Sequence, residues 1–126
     1  RYCPGGKLAV PQPLSRRIGG RVLNKIIRTI AIEGIKDTQC GFKLFERNAA
    51  RAIFSRQTIM GWSFDIEILA IARKLGYSIK EVGITWYDNP HSRVQPLKDG
   101  VKMIQDAWLV RKNILSGKYK LSHKLD

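Results

Sequence analysis

The chain has 126 residues, 44% of them hydrophobic, enough for one buried core and too few for a second domain of ordinary size. Lys and Arg number 23 against 10 Asp and Glu, a formal charge of +13, which implies an anionic partner: nucleic acid, a membrane surface or a phosphorylated ligand. The two cysteines, Cys3 and Cys40, are too few for a disulfide framework and form no C-x-x-C pair, and no apolar run reaches the roughly 18 to 20 residues of a membrane span.

Arg1 is not a natural start residue, and Pro4-Gly5-Gly6 reads as a turn with no element ahead of it, so the chain is expected to be a fragment. Leu14, Ile18, Val22, Leu23, Ile26, Ile27 and Ile30 recur at helical spacing among Arg16, Arg17, Arg21, Lys25 and Arg28. This predicts an amphipathic helix with a basic face over 14–32, stopped near Gly34. A short strand is predicted over 40–45, then a helix from Arg47 to Phe54. A further helix is predicted over 63–75, with Ser63 as N-cap, Asp65 and Glu67 near the positive end of its dipole, and Gly76 as its stop. Its buried stripe would be Phe64, Ile68, Ile71 and Leu75. "KEVGITWYD" alternates, with Val82, Ile84 and Trp86 on one face of a strand, and "NPHSRVQP" follows as a loop. The last helix is predicted over 97–115, carrying Val101, Ile104, Trp108, Leu109 and Leu115, ahead of a polar tail, 116–126.

The segment "DTQCGFKLF", Asp37 to Phe45, gathers a carboxylate, an amide, a thiol and a glycine between two apolar elements. Locally it fits either a ligand site, where glycine admits close approach to the backbone, or a helix terminus followed by an Asx-type turn. Asp65 and Glu67, two apart, do not share a helix face and read as capping or dipole residues.

Three longer blocks occur in order: "GIKDTQCGFKLFERNAARAIF", "GWSFDIEILAIARKLGYSIKEVGITW" and "HSRVQPLKDGVKMIQDAWLVRKNIL". Together they resemble the C-terminal half of the polyprenyl-phosphate (dolichyl-phosphate) glycosyltransferases of family 2, with dolichyl-phosphate glucosyltransferases as the nearest members. The resemblance implies an α/β architecture: the C-terminal half of a GT-A (nucleotide-diphospho-sugar transferase) fold, a mixed sheet with flanking amphipathic helices. Residues 1–115 would be its acceptor-side part.

The implied reaction is attack by a lipid phosphate oxygen on the anomeric carbon of a nucleotide sugar (UDP-glucose or GDP-mannose type), with inversion and loss of the nucleoside diphosphate. An acceptor phosphate is already ionised near neutral pH, so Asp37, the implied catalytic residue, would orient a substrate or serve as base. Arg1, Arg16 and Arg93 would bind donor or acceptor phosphate, for which a planar guanidinium is suited. Tyr2, Gln39, Gly41 and Ser92 would line the substrate pocket. His91-Ser92-Arg93 stands where relatives often read Gly-Ser-Lys. This makes His91 a candidate metal ligand, although a loop histidine without converging partners is the commoner case. The chain has no Asp-x-Asp motif, so the Mg²⁺ or Mn²⁺ of such enzymes would be held mainly by residues outside it. The implied partners are the nucleotide sugar, polyprenyl phosphate and an anionic membrane surface, at the cytoplasmic face of a membrane, with the basic helices in the headgroup region. The competing structural reading packs Ile18, Val22, Ile26 and Trp108 on the sheet. The alternative function is a non-catalytic membrane-surface or nucleic-acid-binding basic domain; no helix-turn-helix, zinc or RNA-sheet signature favours nucleic acid.

Overall fold

The computed structural model describes residues 3–9, 13–87, 91 and 96–120. In chain order its elements are β1 (Lys7–Leu8), α1 (Leu14–Ile30), α2 (Arg47–Phe54), α3 (Phe64–Lys74), β2 (Thr85–Trp86) and α4 (Pro96–Leu115). The four helices stand where the periodicity puts them. α1 packs on α4, α4 on α3, and α3 on α2.

α3 is the centre of the core. Ile66, Ile68 and Ile71 are fully buried there, joined by Ile27 of α1, Ile53 of α2 and Val110 of α4. Each such side chain contributes about 1.5–3 kcal/mol through its burial. The helix ends as its sequence directs: Gly76 takes φ +83°, and Tyr77 N–H donates back to Ala72 O at 3.0 Å, a reversal that a side chain at 76 would strain. α2 is capped by Glu46, whose carboxylate accepts from Asn48 and Ala49 N–H, each at 3.0 Å. Those two amides hold its carboxyl below the ordinary carboxylate range.

The sheet differs from the expected one. Among the described residues it is a parallel pair, Lys7 opposite Thr85 and Leu8 opposite Trp86, and no strand forms over 40–45. That segment has no strand partner, and Phe42 and Leu44 stand in solvent, 80% and 98% exposed, so alternation there did not signal a pleat. Val82 is also exposed, so the strand face foreseen for Val82, Ile84 and Trp86 is only partly covered. The N-terminal turn lies against this strand so closely that a Cβ at Gly83 would stand 2.5 Å from Gly5 C and 2.7 Å from Pro4 O. Gly83 is therefore a packing requirement.

The outer helices also depart from the simple stripe. On α4 the buried residues are Gly100, Met103, Asp106, Ala107, Val110 and Asn113, whereas Val101, Trp108 and Leu115 are exposed together with Leu97. On α1 the same holds for Leu14, Ile18 and Val22. Ile18, Val22 and Trp108 thus do not pack on the sheet. Of the tail, residues 116–120 are described, and there the chain turns back on the core: Tyr119 is 1% exposed and its hydroxyl donates to Glu67 Oε1 at 2.8 Å, while 121–126 lie outside the described residues.

Candidate functional site

The turn Asp37–Gly41 follows α1 and is built from side chains of three distant segments. Asn24 sits on the buried face of α1, one turn before Ile27. Its Oδ1 accepts from Thr38 N–H at 3.1 Å and from Thr38 Oγ1 at 2.8 Å, while its Nδ2 donates to Lys36 O at 2.6 Å. Glu81, leading into β2, accepts from Lys36 N–H at 3.0 Å and from Asp37 N–H at 3.3 Å. Gln39 donates its side-chain amide to Met103 Sδ on α4. Backbone groups that a strand would have paired are met by side chains here, which is why a segment without regular structure can be buried.

Asp37 lies at the edge of this frame, 8% exposed, and Thr38 behind it is fully buried. Gln39 and Cys40 are half-buried, and Gly41 is exposed. Lys43 closes the segment: its Nζ donates to Cys40 O and to Asp65 Oδ1, the latter at 2.9 Å, in the first turn of α3.

A cavity of about 370 Å³ opens beside the start of α3, between the loop Thr58–Ser63 and the α4 residues Asp99, Lys102, Asp106 and Leu109. Its loop wall is fixed by Glu67, which is fully buried and accepts from Thr58 N–H (2.9 Å), Thr58 Oγ1 (2.6 Å) and Ile59 N–H (2.7 Å). Ser63 occupies the N-cap position without a side-chain capping bond, and its buried hydroxyl has no hydrogen-bond partner among the described residues. Asp65 and Glu67 therefore do more than complement the dipole: Asp65 holds Lys43 at the end of the Asp37 segment, and Glu67 fixes the loop wall of the cavity. Burial raises the Tyr119 hydroxyl to a pKa of about 12, with the adjacent Glu67 carboxylate adding to the effect.

Of the residues singled out in the sequence, the structure brings Asp37, Gln39 and Gly41 into one turn. Arg16 is half-buried in the first turn of α1, and His91 is exposed in its loop. Arg1, Tyr2, Ser92 and Arg93 lie outside the described residues. Among the described residues, no group of three His, Cys, Asp or Glu converges to hold a metal ion. The supporting residues Asn24, Lys43, Glu81 and Met103 were not legible as such. Only Asn24 carried a signal, an amide on the face of a helix that otherwise turns Ile27 inward.

No family profile matches the chain, and no solved structure matches it. Curated relatives do. The chain is 42% identical over 95 residues to a dolichyl-phosphate beta-glucosyltransferase of Dictyostelium discoideum, a match covering 75% of this chain and 29% of that protein. It is 38% identical over 99 residues to the Saccharomyces cerevisiae protein of the same name, covering 79% of this chain and 30% of the relative. A Trichomonas vaginalis protein described in the same words is 34% identical over 125 residues, 99% of this chain and 36% of its own length. The chain thus spans about a third of the length of these relatives. Over three quarters or more of its own length the chain is similar to one part of the dolichyl-phosphate beta-glucosyltransferases.

Proposed function

We propose that this chain is the acceptor-side, C-terminal part of a GT-A-type inverting glycosyltransferase that moves a sugar from a nucleotide donor to a polyprenyl phosphate. The observation that carries this reading is the Asp37 turn: a nearly buried carboxylate on a backbone fixed by Asn24 and Glu81, in a chain whose relatives are named for transfer to dolichyl phosphate. A carboxylate fixed in this way costs no reorganisation when charge moves during reaction, the condition under which such a group contributes most. In this reading Asp37 orients the acceptor or the donor sugar, or takes a proton. Gln39 and Gly41 border the substrate, and Arg16, with Arg1 and Arg93, offsets phosphate charge as the lipid phosphate oxygen bonds to the anomeric carbon and the nucleoside diphosphate leaves. Tyr2 and Ser92 complete the pocket. A Mg²⁺ or Mn²⁺ on the donor diphosphate belongs to the same reading; the described residues do not supply its site.

Membrane attachment at the cytoplasmic face is part of the proposal. No helix of the described residues is long and apolar enough to cross a bilayer. α1 instead exposes Leu14, Ile18 and Val22 beside Arg17, Arg21 and Lys25, and α4 exposes Leu97, Val101, Trp108 and Leu115 beside Lys98 and Lys112. Apolar burial in the headgroup region and attraction of a +13 chain to anionic lipid would act together, at about 1 kcal/mol per cation near the surface.

The test uses the longest natural reading frame that carries this chain, supplied with nucleotide sugar and polyprenyl phosphate in anionic vesicles. Transfer is expected, with Asp37→Asn lowering it by about a thousandfold, the scale of a lost electrostatic or acid-base group, at an unchanged melting temperature. An Asp37→Asn protein of full activity would remove Asp37 from the site, and tight binding to random oligonucleotides without vesicle binding would favour the nucleic-acid reading.

A further inference from the structure

Lys43 differs from most of the described cations in being taken out of solvent: its side chain is 14% exposed, against Asp65 at 11%. Withdrawing an ammonium and a carboxylate from water is costly unless each gains close partners, so such a pair adds little net stability, while removal of either member strands the other. Here the ammonium lies between Cys40 O and Asp65 Oδ1, and Asp65 stands in the first turn of α3, where the helix dipole favours a carboxylate. The Asp37–Gly41 turn is fixed at its leading end by Asn24 and Glu81, which belong to α1 and the approach to β2. Its trailing end is tied to α3 by the Lys43–Asp65 pair. No backbone ladder does this work, because the segment 40–46 forms neither strand nor helix.

We infer that Lys43 and Asp65 are a positioning pair that sets the Asp37–Gly41 turn against α3 and so fixes where the Asp37 carboxylate meets substrate. The inference rests on the reading of Asp37 given above, and its two halves are separable. The ion pair restrains the turn, which the 126-residue chain itself reports. The restrained turn serves the reaction, which turnover reports.

Cys40 supplies the first readout, since its own carbonyl is a partner of Lys43 and its side chain is half-buried. In a Cys3→Ser background, alkylation of Cys40 by iodoacetamide is expected to quicken at least about fivefold in Asp65→Asn and Lys43→Met, as a restrained loop is released to local opening. Lys43→Arg should stay near the parent rate, and the charge swap Lys43→Asp with Asp65→Lys should recover part of the protection. In the longer reading frame, Asp65→Asn and Lys43→Met should lower kcat by about 10- to 100-fold with KM little changed, the size of effect that a misplacement of about 1 Å produces. Lys43→Arg should restore most of the turnover, which a general loss of folding would not allow.

An unchanged alkylation rate in both Asp65→Asn and Lys43→Met overturns the restraint. Faster alkylation with kcat within twofold of the parent overturns the positioning role. If the unsubstituted longer protein transfers no sugar, the proposed function fails by itself, while the alkylation rates still decide whether the pair restrains the turn.

Discussion

α3 and α4 lie against one another and resolve burial in opposite ways. α3 is enclosed without a break from Asp65 to Ala72, two carboxylates included, whereas α4 buries Asp106 and Asn113 and leaves Leu97, Val101, Trp108 and Leu115 in solvent. Polarity of the side chain does not decide the matter. Glu67 is inside because two backbone N–H groups, a threonine hydroxyl and the Tyr119 hydroxyl wait there for an acceptor. The apolar face of α4 stays largely in solvent, with the Arg111 guanidinium over the Trp108 ring at 5.7 Å. The enclosed carboxylates of α3 brace two loops, Asp65 through Lys43 and Glu67 at Thr58–Ile59, and the exposed apolar side chains of α4 offer a surface to something else.

The largest effect that separates the two helices is expected from Glu67→Ala. It strands the buried Ile59 N–H and frees the Thr58 and Tyr119 hydroxyls, and should cost about 3 kcal/mol or more, read as a lowered urea midpoint at an unchanged slope. A loss under about 1 kcal/mol would mean that water replaces the carboxylate, and the contrast would fail. Asn24→Ala extends the comparison to α1: it removes the acceptor of Thr38 and the donor to Lys36 O, with an expected cost of about 2 kcal/mol and faster amide exchange at Thr38.

Tyr119→Phe should cost about 1 to 1.5 kcal/mol, since Asn113 and Glu67 each lose one hydrogen bond. It also carries a pH signature. The hydroxyl ionises near 10.0 when unfolded and near 12 when folded. The unfolded chain therefore loses its proton first, and stability is complete below pH 10 and falls as pH rises toward 12. The Phe variant should show a shallower alkaline fall in melting temperature.

The smallest effect on stability, within about 0.5 kcal/mol, is expected from Trp108→Ser on the open face of α4. The same change should weaken sedimentation with anionic vesicles several-fold, and an unaltered vesicle affinity would detach α4 from the membrane surface.

Much of this molecule was legible without coordinates. Periodicity located all four helices, with α2 bounded at Arg47 and Phe54, because burial of an apolar stripe is a local demand that recurs every three to four residues. Gly76 announced its reversal for another local reason, since its φ of +83° is one that a side chain would strain. The ordered blocks around Asp37 carried the resemblance to the dolichyl-phosphate beta-glucosyltransferases. Alternation misled at Phe42 and Leu44, where residues that look like one face of a strand stand in solvent.

What only the tertiary structure decided is which polar side chain answers which backbone group. Asn24 meets Thr38 from 14 residues away, Glu81 meets Lys36 from 45, and Tyr119 meets Glu67 from 52. The sequence by itself determined the helices, the turn chemistry and the charge. The placement of Asp37 depended on long-range hydrogen bonds, whose partners are chosen by the packing of α1, α3 and α4 and leave no period in the chain.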